Sequence, residues 1–239
     1  TEGMYAVEDP NQLWYMGNTG PSFPSDYWID GLEWLAEQDT NLEPEKRPGF
    51  ISWWDYGFWA IDIGEHPTVA DNFQFGYQIA GNFIASQSEH EAMVLLLYRL
   101  IEPEVDRKSE SFNGTKDGGE IRTKLLIYLS EENVTKLENI ISNPDDYIPK
   151  KADGSNQDVH PKNAAIRAGK PILMTIEKND VADLMWEVEQ ITGHSIRYFA
   201  ADTRLMPYSA SNTGILYAPV TLADYDISNF VEVQAALSN

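Results

Sequence analysis

The chain has 239 residues, with 38 acidic and 17 basic side chains and a formal net charge of −21. At 42% apolar, with 28 Trp, Tyr and Phe residues, it holds enough hydrophobic bulk for a core, which excludes collagen-like and disordered classes. The acidity argues against nucleic-acid or anionic-membrane partners and fits a solvated surface, including one for a salty environment. The absence of cysteine excludes disulfides, thiolate zinc sites and cysteine nucleophiles.

No stretch approaches the ~18 apolar residues of a membrane helix; the most apolar window, Ala92 to Ile101, is short and carries Arg99. Thr1 to Asp9 lack the basic start and apolar run of a signal peptide, so either the protein stays where it is made or a leading membrane part has been cut away.

Ser25 or Asp26 is a candidate cap for a helix to about Asp39, with Trp28, Leu32 and Leu35 on its buried face. Phe50 to Trp54 reads as a strand broken by Asp55, Tyr56 and Gly57. Ser88 and Glu91 form a capping box for a helix to about Glu102. Lys124 to Leu129 is a strand candidate, and Ser130 opens a helix through Val134, Leu137, Ile140 and Ile141. The polar stretch Asn143 to Gly169 reads as a surface excursion. Ile172 to Ile176 is then a strand candidate, and Asn179 caps a helix that ends at Gly193. Ser195 to Ala200 and Gly214 to Val220 are further strand candidates, before a closing helix from about Ser228 to Leu237. This alternation predicts a mixed α/β fold with a helix-rich core, a small sheet and surface excursions.

The informative string is Trp53, Trp54, Asp55, Tyr56, Gly57. It places two indole N–H donors, one acceptor-only carboxylate and a glycine suited to a tight turn within five residues. That set matches a Ser or Thr hydroxyl: the carboxylate takes its single hydrogen and the indoles fill its two lone pairs. A ligand without the hydroxyl would strand several polar groups, which makes such a site selective. The alternative is a core anchor in which an indole happens to bond the carboxylate.

WWDYG is the hallmark of the catalytic subunit of oligosaccharyltransferase, the enzyme of Asn-linked glycosylation, and the chain resembles the archaeal AglB branch of that family. Trp28 to Thr40 resembles its lead-in helix, Thr68 to Asn72 the segment after the motif, and Ser195 to Pro207 with Asn212 to Pro219 its later part. The resemblance covers roughly residues 25–100 and 170–222. It implies a C-terminal extracytoplasmic domain over 1–239, with a motif-bearing core at about 25–102 and 170–239 and an insert or peripheral excursion at about 103–169.

The resemblance further implies transfer of a glycan from a lipid-linked donor to Asn in Asn-X-Ser/Thr. The divalent metal, Mn or Mg, would be held by membrane loops outside this chain, so the chain alone would recognise acceptor without catalysing transfer. Trp53, Trp54 and Asp55 would bind the acceptor hydroxyl, with Tyr56 and Gly57 fixing the turn. In the family's second motif, an Asp followed by Lys and then Met or Ile, Asp202 takes the Asp position, but no Lys follows Lys178. Met206, and Ile215 after an apparent insertion, would be the partners. Met206 packed on a Thr methyl would favour Thr over Ser by at most ~1 kcal/mol. Met206 as core and Asp202 as a turn residue is the alternative there.

Other classes have less support. His66, His90, His160 and His194 form no HxxxH pair, and Gly114, Gly118 and Gly119 make no phosphate loop. Asp62, Glu65 and Asp71 are the carboxylates a glycosidase would need, and they read more simply as solvated or capping charges. Asn113-Gly-Thr115 and Asn133-Val-Thr135 are themselves acceptor sequons. A secreted acidic carbohydrate-binding module is the runner-up function.

Overall fold

The computed structural model describes residues 26–71, 73, 76–201, 205 and 217–223. Helix α1 (Asp26–Ala36) buries Trp28, Leu32 and Leu35, the i, i+4, i+7 face that the spacing predicts. Strand β1 (Gly49–Ile51) follows and is shorter than expected, because the backbone turns at Trp54 into a 3₁₀ turn, Trp54–Tyr56, that runs directly into α2 (Gly57–Asp62).

Strand β2 (Ile196–Phe199) runs parallel to β1, pairing Phe50 with Tyr198 and Ile51 with Phe199. On the other side of β1, the Phe50 N–H donates to the Pro67 carbonyl at 2.7 Å and the Val69 N–H to the Phe50 carbonyl at 2.8 Å. The segment 67–69 therefore covers that edge of β1.

Helices α3 (Tyr77–Ile84) and α4 (Glu89–Ile101) lead into the larger core. Ser88 caps α4, accepting from the Glu91 N–H at 3.1 Å, and the Glu91 carboxylate reaches back to the Gln87 N–H at 2.9 Å. Glu91 also pairs with Lys170 of α7 (Pro161–Leu173), so one capping residue joins two helices. Replacing Ser88 with Ala removes the cap oxygen and is expected to cost about 1 kcal/mol, read as a lower urea midpoint at unchanged slope.

The expected strand at 124–129 is instead the end of α5 (Lys116–Tyr128). Ile121 and Leu125 are one turn apart and fully buried, while Ile127 is exposed, so the burial period is helical despite the run of apolar residues. Thr115 caps the helix, and Lys124 ties it to Glu187 of α8 (Lys178–Thr192) at 2.9 Å. Helix α6 (Glu131–Ser142) begins after Ser130 as predicted.

Two further expectations are corrected around α7. Residues 161–169, expected at the surface, bury Asn163, Ala164, Ala165 and Ile166, and Ile172 and Leu173 close this helix instead of forming a strand. The helix is inconspicuous in sequence because it packs through small residues; a Cβ on Gly169 would lie 2.8 Å from the Tyr98 ring. Helix α8 ends at Gly193, whose φ of +69° is the left-handed C-cap that the sequence predicts. The strand expected at 214–220 is helix α9 (Tyr217–Leu222) where it is described; the expected helix at 228–237 lies outside the described residues.

The larger core surrounds Val94, Leu95, Leu97 and Ile101 of α4 and draws on α5, α6, α7 and α8. Residues 112–173 thus share one hydrophobic core with α4. A second, aromatic core holds Trp28, Leu32, Leu35, Phe50, Trp53, Tyr56 and Trp59. The result is the helix-rich mixed α/β architecture expected, with a two-stranded sheet between these cores.

Candidate functional site

In a parallel sheet all strands end at the same edge, and ligands of α/β folds characteristically bind there. β1 delivers the chain to Trp53, and the Ala200 N–H, just past β2, donates to the Ile51 carbonyl at 3.0 Å. The motif string and the chain after β2 therefore leave the sheet side by side.

The five motif residues divide by burial. Trp53 is 4% exposed, with its ring edge against Gly81 of α3, where an added Cβ would sit 3.4 Å from Trp53 Cζ3. Tyr56 is buried and stacks on Trp28 at 4.1 Å, with Trp59 5.7 Å away. Trp54 and Asp55 are half-buried; Trp54 packs against both cores and lies 6.4 Å from Trp53 at a 55° tilt. A rigid aromatic base thus carries one partly open indole and one partly open carboxylate.

Gly57 does not adopt the conformation for which the sequence suggests a glycine. Its φ of −58° and ψ of −43° are ordinary helical values. What demands glycine is proximity: an added Cβ would meet the Ala70 carbonyl oxygen at 2.1 Å and Asp71 Cα at 2.6 Å. The segment 67–71 thus pairs with β1 and braces the motif turn at once.

Asp202, Met206 and Ile215 lie outside the described residues. Their neighbours are informative, because Leu205 is buried in the aromatic core with Trp53 and Tyr56, and Ala218 and Leu222 pack against it. The Leu222 carbonyl accepts from Asn163 Nδ2 at 2.9 Å and from Arg167 Nη2 at 3.0 Å, anchoring α9 to α7. These supports are missing from the sequence reading. Gly81 is the one local signal for them, since glycine inside a helix marks close approach.

Four of the remaining candidates make structural contacts. Glu65 pairs with Arg47 at 3.1 Å, and Asp71 accepts from the Phe73 N–H at 2.8 Å. His66 is buried, with Nδ1 2.8 Å from the Pro48 carbonyl, and His160 caps α7. Burial, then Lys162 nearby, pushes the His160 imidazole down. A hydrogen bond from the Tyr198 hydroxyl to Asp39 at 2.6 Å, reinforced by burial, pushes that phenol up. Among the described residues, no group of three His, Asp or Glu side chains is placed to hold a metal ion, and no helix is long and apolar enough to cross a membrane.

The family profile described as AglB core domain matches residues 8–98, which include the strand, the motif turn and the bracing segment. Residues 8–98, a little over a third of the chain, are thus similar to the AglB core domain. The chain's relatives are archaeal. The chain is 37% identical over 71 residues to dolichyl-phosphooligosaccharide-protein glycotransferase 1 of Archaeoglobus fulgidus, covering 28% of this chain and 12% of the relative. It is 35% identical over 79 residues to glycotransferase 2 of the same organism, covering 31% and 13%. It is 38% identical over 53 residues to the dolichyl-monophosphooligosaccharide-protein glycotransferase AglB of Haloferax volcanii, covering 22% and 5%. The matched stretch therefore spans about an eighth or less of these relatives' length. No solved structure matches the chain significantly.

Proposed function

We propose that this chain is the acceptor-recognition domain of an oligosaccharyltransferase that transfers a glycan from a lipid-linked donor to Asn in Asn-X-Ser/Thr. The observation that carries the reading is the motif turn: half-buried Trp54 and Asp55 sit over a buried Trp53 and Tyr56 base at the carboxyl edge of the sheet. In this reading Asp55 accepts the hydrogen of the Ser/Thr hydroxyl and the indoles donate to its lone pairs. Asp202, Met206 and Ile215, on the family resemblance, would complete the site for the same hydroxyl.

The acceptor is a protein or peptide segment, and the donor and the divalent Mn or Mg are held by membrane segments outside this chain. The domain faces the extracytoplasmic side, and the chain alone has no transferase activity. The test is photo-crosslinking of an Asn-X-Thr peptide, with the reactive group on the X residue, to the full-length enzyme. Adducts at Trp54 or between residues 202 and 215 support the assignment, and adducts confined to α5 to α7 overturn it.

A second reading, a carbohydrate-binding module, rests on a groove of about 400 Å³ between α1 and β2 that is flanked by the exposed rings of Tyr27, Trp34 and Phe199. Free oligosaccharide binding that is lost in Trp34→Ala and kept in Asp55→Ala would favour it.

A further inference from the structure

Away from the motif turn, a cleft of about 470 Å³ opens between the segment 68–71, α3, α4 and the start of α7. A second cavity of about 270 Å³ adjoins it, and Thr68, Val69, Arg99 and Pro103 line both. The larger volume is in the range of small-ligand sites.

The arginines single this cleft out. In a chain with more than two carboxylates per cation, Arg47, Arg122 and Arg197 each pair with a glutamate, and Arg167 binds the Leu222 carbonyl. Among the described residues, Arg99 and Arg107 have no such partner, and both line this cleft. Arg99 is half-buried at the junction of the two cavities. A partly desolvated guanidinium without a counter-ion is unfavourable, and a bound oxyanion would relieve that cost through its planar fork of donors.

The rest of the lining narrows the ligand class. Lys162 adds a third cation, 3.7 Å from Glu102 Oε1. Gln78, 3% exposed, also lines the cleft. Glu102 and Asp71 would repel an anion placed beside them, but as acceptors they suit hydroxyl groups, as Gln78 and Thr68 also do. The lining thus combines two arginines suited to an oxyanion with groups suited to hydroxyls.

We infer that this cleft binds a monosaccharide-sized ligand carrying one phosphate or carboxylate group, with Arg99 and Arg107 gripping the oxyanion and Gln78 and Glu102 taking ring hydroxyls. The site is independent of the acceptor-binding reading, since the motif string contributes none of these residues.

The test is calorimetric titration of the full chain at low salt with glucose 6-phosphate, glucuronate, inorganic phosphate and glucose. The two charged sugars separate a phosphate from a carboxylate ligand. Saturable binding of at least one of them is expected, at least tenfold tighter than inorganic phosphate or glucose. It should weaken at least tenfold in Arg99→Ala and persist in Asp55→Ala. Arg107→Ala, at an exposed position, should weaken it severalfold. No binding of either charged sugar, equal binding of inorganic phosphate, or unchanged affinity in both arginine variants overturns the proposal.

Discussion

Replacing Asp55 with Ala in the full-length enzyme is expected to reduce glycosylation of an Asn-X-Thr peptide at least a hundredfold. The residue holds the one carboxylate of the motif string, on a turn that an aromatic base keeps rigid. A hydrogen bond to a charged group contributes about 1.5–3 kcal/mol, and stranding the acceptor hydroxyl beside two indoles adds a desolvation cost of similar size. Asp55→Asn keeps a carbonyl acceptor but loses the charge, so it should retain more turnover than Asp55→Ala. Trp54→Ala should act in the same direction through the lost donor. The measurement is initial rate against peptide concentration, with Thr and Ala compared at the hydroxyl position. If Asp55→Ala turns over like wild type, or discriminates Thr from Ala as wild type does, the assignment of this residue is wrong.

The second large effect is on stability. Gly57→Ala places a methyl group 2.1 Å from the Ala70 carbonyl oxygen and 2.6 Å from Asp71 Cα, both on backbone that cannot rotate away. Either α2 or the bracing segment must shift, and Val69, beside Ala70, is hydrogen-bonded to β1. The expected loss is about 3 kcal/mol, at the upper end for overpacking. Gly31→Ala is the internal control. Gly31 lies on the exposed side of α1 with nothing within 4 Å of a new Cβ, so alanine there should stabilise the chain by about 0.5–1 kcal/mol. Urea unfolding of both variants checks the pair, and a loss at Gly57 no larger than a few tenths of a kcal/mol would show that the segment 68–71 yields easily.

Much of the fold is legible locally. The Trp28, Leu32, Leu35 stripe, the Ser88 and Ser130 caps and the Gly193 terminus all act within a few residues of themselves, and the structure contains each of them. The errors have a common cause. Lys124 to Leu129, Ile172 to Ile176 and Gly214 to Val220 are short apolar runs, which a strand and a buried helix share. Packing partners far along the chain decide between the two. α5 rests on α8, α7 presents small residues to α4, and α9 is held by Asn163 and Arg167. None of those partners is visible in a window of a dozen residues.

The same division holds for the candidate site. The sequence by itself determined its chemistry, because donor and acceptor types in Trp53, Trp54 and Asp55 follow from the side chains alone and need no partner to be recognised. It also set the strongly acidic charge balance, which makes unpaired arginines noteworthy. Only the tertiary structure decided which motif residues are base and which are open, since burial of Trp53 and Tyr56 depends on Gly81, Trp28 and Leu205. It also decided why Gly57 must be glycine and brought Arg99 and Arg107 to one cleft, because proximity between distant segments is a property of the packed chain and not of any local pattern.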